Sequence, residues 1–519
     1  MRAAWGALEK AENRAVGDGR QRKRRTGGLV GAALAIVIVG AAVYLGRAWP
    51  FTQANLIREL ERATSSTVQI AGFHRTLFPR PGCIAEGVTF VWGDDSKHQT
   101  VLTVEKFTVE GNLTRLLSRH VALIRATGAH AVFSPLGTGP GWRPTESEVV
   151  VDELITDGAL LEFSRHNPER PRVQFVVHEF VGHHLAAHDP MRFELQVRNP
   201  EPPGEIKASG TFGPWKMDRV SETPVAGSYS FRDADLGVFG GIHGILSSDG
   251  RFQGTLESIE VEGATATPGF SVRGSSHKLG LRSNFRAQVD ATNGDVTLDK
   301  VCAQLAGTTV VTRGRVAGRA NQDGKTAALD LGVQSGRIQD LLLMFVSEKQ
   351  APLKGVISLQ AKTVVPPSKK PFLQKVEMTG DFGIDSALFT KEKTQEKLNK
   401  LSAAARGEGE DADDPESVLS DLRGHVVVRD GVATFSDLSF RVPGAWARLR
   451  GTFDLTSEKV DLRGMLFMDA KLPQATSGIK SFLLKAIDPF LKKNRRGGAK
   501  FPVSITGTYQ HPSYKADPV

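Results

Sequence analysis

The run Met191-Arg192-Phe193-Glu194-Leu195-Gln196-Val197 places apolar side chains at every odd position and polar ones between them. Period two is the side-chain spacing of a β-strand, so one face of this segment is apolar and the other meets water. Three further runs read the same way: Ile206 to Phe212 (IKASGTF), Ala445 to Phe453 (AWARLRGTF) and Val503 to Tyr509 (VSITGTY). Short alternating runs of this kind occupy most of the chain from Val68 onward, separated by Gly, Asn, Asp and Pro. Asp249-Gly250, Asn293-Gly294, Asp323-Gly324 and Asp430-Gly431 carry the chemistry of tight hairpins, because positive φ costs glycine nothing. The pattern predicts a mainly β protein built as a long antiparallel meander. Glycines inside the alternating runs, such as Gly227, Gly254, Gly451, Gly464 and Gly507, suit a sheet that bends strongly and curls without closing.

Upstream of the meander the character changes. Gly27 to Leu45 (GGLVGAALAIVIVGAAVYL) is uncharged and would span about 28 Å as a helix, close to a hydrocarbon core. The basic run Arg20 to Arg25 precedes it, which predicts a cytoplasmic N-terminus. The stretch is longer than the apolar part of a cleaved leader and runs into Gly46-Arg-Ala-Trp-Pro50 without a small-x-small site. It therefore reads as an uncleaved anchor. Residues 1–26 hold eight Lys/Arg against three Asp/Glu, so +5 of the chain's net +9 sits in this head. The rest is only weakly basic, which argues against a nucleic-acid partner and for a head held by anionic lipid.

Few segments read as helix. Leu56, Ile57, Leu60 and Ala63 share one face of a short amphipathic helix. Gly336 to Val346 contains a short helix after a strand. Lys391 to Arg406 is helical with Leu398 and Leu401 as its strong apolar residues, and it passes into the acidic stretch Gly407 to Asp414. Ile479, Phe482, Leu483, Ile487 and Phe490 form an apolar stripe among lysines and arginines, interrupted by Pro489. That segment either packs on the sheet or lies on a membrane surface.

No catalytic constellation is visible. His178-Glu-Phe-Val-Gly-His-His184 lacks the second histidine at i+4 that a zinc-protease helix needs, since position 182 is glycine. The histidines read as strand-end and loop residues. Ser247-Ser-Asp-Gly250 reads as a turn rather than a nucleophile, and Asp233 with Asp235 as carboxylates flanking a hairpin. Cys83 and Cys302 have no metal spacing, and their pairing is left open. No cofactor is expected.

Motifs spread along nearly the whole chain resemble the AsmA-like family of bacterial envelope proteins. They are Val68–Gly72 (VQIAG), Phe78–Gly82 (FPRPG), Ala85–Val88 (AEGV), Asn199–Gly204 (NPEPPG) and Gly210–Trp215 (GTFGPW). They continue with Ala234–Gly237 (ADLG), Gly244–Gly250 (GILSSDG), Val289–Asp295 (VDATNGD) and Gly336–Asp340 (GRIQD). Phe440–Ala445 (FRVPGA), Leu449–Leu455 (LRGTFDL), Asp488-Pro489 and Phe501–Gly507 (FPVSITG) complete the series. The resemblance implies a single-pass protein of the bacterial inner membrane, held through residues 27–45, with its bulk in the periplasm. It implies a long curled β-sheet, an open taco-like groove with a few short helices, similar to eukaryotic bridge-like lipid-transfer proteins. The expected layout is a basic head (1–26), the span (27–45), a β-groove (50–390), a helix with an acidic linker (391–416) and a C-terminal β segment (417–519) with the amphipathic helix 479–493. The expected ligand is phospholipid, moved along the groove toward the outer membrane. The groove candidates are Met191, Phe193, Leu195, Val197, Ile206, Phe212, Leu449, Phe453, Val503 and Ile505. The alternative within the same reading is a non-catalytic assembly or scaffold factor with an outer-membrane or envelope protein partner. A hydrolase is the third reading, and only the histidine cluster speaks for it.

Overall fold

The alternation that begins at Val68 produces strands, and nearly every strand pairs with its neighbour in sequence, across short turns and long connections alike. The computed structural model describes residues 51–515 apart from 79, 93–99, 112–119, 134–148, 166–168, 170, 187, 217, 320–322, 407–416, 470–498 and 509–510. The head, the expected membrane span, the acidic stretch and the stripe Ile479, Phe482, Leu483, Ile487 and Phe490 lie outside the described residues. Among the described residues no helix is long and apolar enough to cross a membrane.

Residues 51–56 open the helix α1 (Gln53–Thr64), and the sheet lies in the compact unit Ile57–Val519. Its strands are β1 (Thr67–Thr76), β2 (Gly82–Trp92), β3 (Thr100–Gly111), β4 (His120–Phe133), β5 (Val150–Phe163), β6 (Val173–Leu185), β7 (Met191–Pro200) and β8 (Pro203–Phe212). Next come β9 (Pro224–Asp235), β10 (Ile242–His243), β11 (Ile245–Thr255), β12 (Ser258–Val272), β13 (Leu279–Asp290), β14 (Asp295–Leu305), β15 (Thr308–Gly318) and β16 (Lys325–Arg337). The last are β17 (Leu353–Val365), β18 (Glu377–Phe389), β19 (Ser420–Arg429), β20 (Val432–Val442), β21 (Ala445–Asp454), β22 (Lys459–Met468), β23 (Ala499–Thr508) and β24 (Pro512–Lys515). Three short helices interrupt them: α2 (Ile338–Leu342), α3 (Phe372–Lys375) and α4 (Glu392–Arg406).

All described strands belong to one sheet. Neighbours in sequence pair antiparallel, except that β4 and β5 run parallel and β9 pairs with β11 past the two-residue β10. Among the described residues β1 pairs only with β2 and β24 only with β23, so the sheet is open. The mainly β reading and the few short helices therefore hold, and the sheet is not closed.

Two local expectations fail. Asp249-Gly250 is not a turn but lies inside β11, where both residues pair with β9 and β12. Among the histidines, His178 lies in the interior of β6 rather than at a strand end or in a loop, whereas His183 and His184 stand near the end of β6 and His188 follows it, as expected. The turns at Asn293-Gly294, Asp323-Gly324 and Asp430-Gly431 fall between strands as expected.

Side chains are covered fully only in places. The largest one wholly withdrawn from solvent among the described residues is Val88. A sheet this long normally hides its Phe, Leu and Ile against a second layer. Such a layer exists near the C-terminal end, where Leu438, Ala447, Leu449, Leu466 and Phe501 form a buried cluster with Ala405 of α4. The helix is fastened there by polar groups: Gln395 Nε2 donates to the Val418 carbonyl (2.9 Å) and Ser402 Oγ to that of Pro443 (2.7 Å). Asn399 Oδ1 accepts from the Val418 N–H at 3.0 Å. Leu398 is only half-buried, so the helix is docked more by its buried Gln, Asn and Ser than by the leucines that the sequence pointed to.

Candidate functional site, an apolar sheet face in continuous register

Strand register builds one face of the sheet into long rows. One row passes through Leu195, Ala208, Tyr229, Gly250, Gly263 and Phe285 on successive strands. It extends back through Phe180 and Phe107 to Phe73 in β1. Forward it passes Val301, Leu331, Phe435 and Leu462 to Ile505 and Tyr514. Two parallel rows flank it. One links Val88, Val177, Val197, Ile206, Leu449 and Val503, and the other links Cys83, Phe193, Phe252, Leu329 and Phe453. Between β2 and β23 none of the three rows carries a charged side chain. At about 4.8 Å per strand each row is about 100 Å in contour.

All ten predicted groove residues lie on this face. Met191 and Phe212 are register partners in a fourth row at its edge. Coverage divides the ten. Met191, Phe193, Leu195, Ile206 and Phe212 are half-buried. Val197 is buried within the sheet face. Leu449 is buried in the cluster beneath α4, with Val503 and Ile505 packed against it, and Phe453 packs on the neighbouring cluster of Val426, Val428 and Ala433.

The opposite face is charged. Glu194, Ser209, Ser228, Arg251, Glu262, Arg286 and Lys300 form a register row there. Cross-strand ion pairs tie that face together: Arg232 to Asp249 at 2.6 Å and Arg423 to Asp385 at 2.5 Å. Such exposed pairs fix register more than they stabilise.

The apolar face carries single threonines, Thr156, Thr312 and Thr363, and one cluster of hydroxyls that the sequence did not reveal. Ser248, Thr265 and Ser283 are register partners on three adjacent strands. Tyr229 Oη lies 3.0 Å from Ser248 Oγ, and Thr265 Oγ1 lies 2.6 Å from Ser283 Oγ. Burial raises the Tyr229 pKa, so the phenol stays neutral. The hydroxyls can donate to or accept from an uncharged polar group without placing a charge among apolar side chains.

Cys83 lies on the floor of the face and is free, as is Cys302. Burial pushes the Cys83 thiol up to about 12. At pH 8 an alkylating reagent is therefore expected to leave Cys83 unmodified in the folded protein and to reach it only after denaturation, as read by intact mass.

The histidine cluster forms no catalytic unit. His178 Nε2 faces Glu205 at 3.2 Å and His184 Nε2 faces Asp189 at 3.2 Å, each as a separate surface pair. Among the described residues no group of three His, Cys, Asp or Glu is placed to hold a metal ion. No family model matches the chain, and neither a curated protein nor a solved structure does.

Proposed function

We propose that the protein binds phospholipid by its acyl chains along the apolar face and moves it within the bacterial envelope, anchored in the inner membrane through residues 27–45. The observation that carries this reading is the uncharged register rows: the central one stays half-buried from β5 to β16, and among the described residues a second layer covers the face only beside α2 and α4. Each methylene taken from water onto such a surface gains about 0.8 kcal/mol when fully covered. The attraction has no direction, so a tail can shift from one strand to the next without breaking a specific bond. A row of about 100 Å is several times the half-thickness of a bilayer core, about 15 Å, so several tails fit in line. Head groups remain in water at the open margin. The mechanism uses no catalytic residue.

A photoreactive phenylalanine analogue tests this directly. Placed at Phe285, it is expected to yield a phospholipid adduct in cells, detectable by mass spectrometry of the purified chain. Placed at Arg286 on the charged face, it is expected to yield none. Protein adducts at position 285 with no lipid adduct would replace lipid conduction with the scaffold reading.

A further inference from the structure

The charged face changes character over β20 to β23. Trp446 of β21 and Phe467 of β22 are register partners on that face, and their rings stack with centroids 3.9 Å apart and planes 9° from parallel. Arg441 and Lys500 complete the same row on the two outer strands. The Arg448 guanidinium lies 5.7 Å from the Trp446 ring centre, and Lys500 Nζ lies 5.3 Å from that of Phe467. Arg450 is exposed beside them. Elsewhere on this face several arginines meet carboxylates across the strands, as Arg232 meets Asp249 and Arg423 meets Asp385. Here Arg463 pairs only within its own strand, with Asp461 at 3.1 Å. Among the described residues Arg441, Arg448, Arg450 and Lys500 make no ion pair.

Four cations without carboxylates around a flat aromatic pair need an anionic surface to complement them. Aromatic rings ringed by Arg and Lys match the head-group layer of a bilayer, where the rings enter the boundary and the cations meet phosphate. We propose that the β20–β23 face docks on the surface of a membrane rich in anionic phospholipid. The rings are held rigid by each other and by two strands, so little order is lost on docking. The attachment is independent of the apolar face, which lies on the other side of the sheet.

The test uses the full chain held in phosphatidylcholine nanodiscs, so that its own anchor is occupied. Vesicles containing phosphatidylglycerol are added, and capture is read by sedimentation. Capture is expected with these vesicles and not with phosphatidylcholine vesicles, and it is expected to fade as salt rises. Each cation near an anionic surface contributes about fivefold, so the combined R441E/R448E/K500E variant is expected to weaken capture about a hundredfold or more. Those three positions are exposed, and amide exchange of β20–β23 checks that the variant keeps its fold. Brominated phosphatidylglycerol is expected to quench the fluorescence difference between the wild type and W446F. Capture that survives the charge reversals, or Trp446 that escapes quenching, overturns the proposal and moves membrane contact to the basic segment 479–496. No capture by the wild-type chain overturns it outright. Lipid adduct at position 285 is expected to persist in the charge-reversal variant, so failure of the docking face and failure of the groove are read separately.

Discussion

Leu195→Asp is expected to strip lipid from the protein while leaving it folded. Leu195 lies in the central uncharged row, between Phe180 and Ala208, and is half-buried. An aspartate placed against acyl chains costs about 3 kcal/mol on membrane-insertion scales. That corresponds to about a hundredfold lower occupancy of the local site. Stability falls much less, by about 1 kcal/mol, because the carboxylate of the empty protein reaches water and only part of a leucine's burial is lost. Gln196→Asp, one residue along on the charged face, is the control and is expected to leave occupancy unchanged. Lipid retained per folded chain, measured by native mass spectrometry after washing, reads both variants. Equal lipid in Leu195→Asp and the wild type would show that this face is not where lipid binds.

The face itself was legible strand by strand. Met191 to Val197 states by its alternation which side chains share a side, and all ten residues chosen that way do share it. Register was not legible, because nothing in Leu195 says that it will stand beside Phe180 and Ala208. The Trp446–Phe467 stack was hidden for the same reason: the two residues are far apart in sequence and meet only through strand pairing. Asp249-Gly250 misled because two physical uses of glycine look alike in sequence. The residue serves close approach rather than a turn: a Cβ at Gly250 would lie 2.6 Å from Cε1 of Tyr229. His178, inside β6, looked like a strand-end or loop residue because polar side chains lower strand propensity. The neighbouring β5 and β7 supply ladder bonds along that segment and override the local preference. In α4 the contacts that dock the helix are polar side chains reaching backbone groups of the 418 and 443 segments, which helical periodicity does not encode.

Gly464→Val is expected to have the largest effect on stability of any single change in the C-terminal sheet. Gly464 faces Leu449 across the β21–β22 ladder. A Cβ there would sit 1.8 Å from the Arg448 carbonyl oxygen and 2.9 Å from the Leu449 Cα. Both obstacles are backbone, so no side chain can turn aside; the strands must part. Separation breaks ladder hydrogen bonds worth about 1 kcal/mol each and adds overpacking strain of about 1–3 kcal/mol. A combined loss of about 4 kcal/mol follows. It falls on the strands that carry both the core under α4 and the Trp446–Phe467 pair, so amide protection should collapse over β20–β23 and vesicle capture should fall with it. Gly280 is the internal control. It too lies in a strand, β13, but a Cβ there meets nothing within 4 Å. Gly280→Ala is therefore expected to be neutral or to stabilise by about 0.5 kcal/mol, through the unfolded chain. Thermal unfolding with amide exchange separates the two. Equal melting and equal protection in both variants would mean that β21 and β22 do not approach as closely as their register requires.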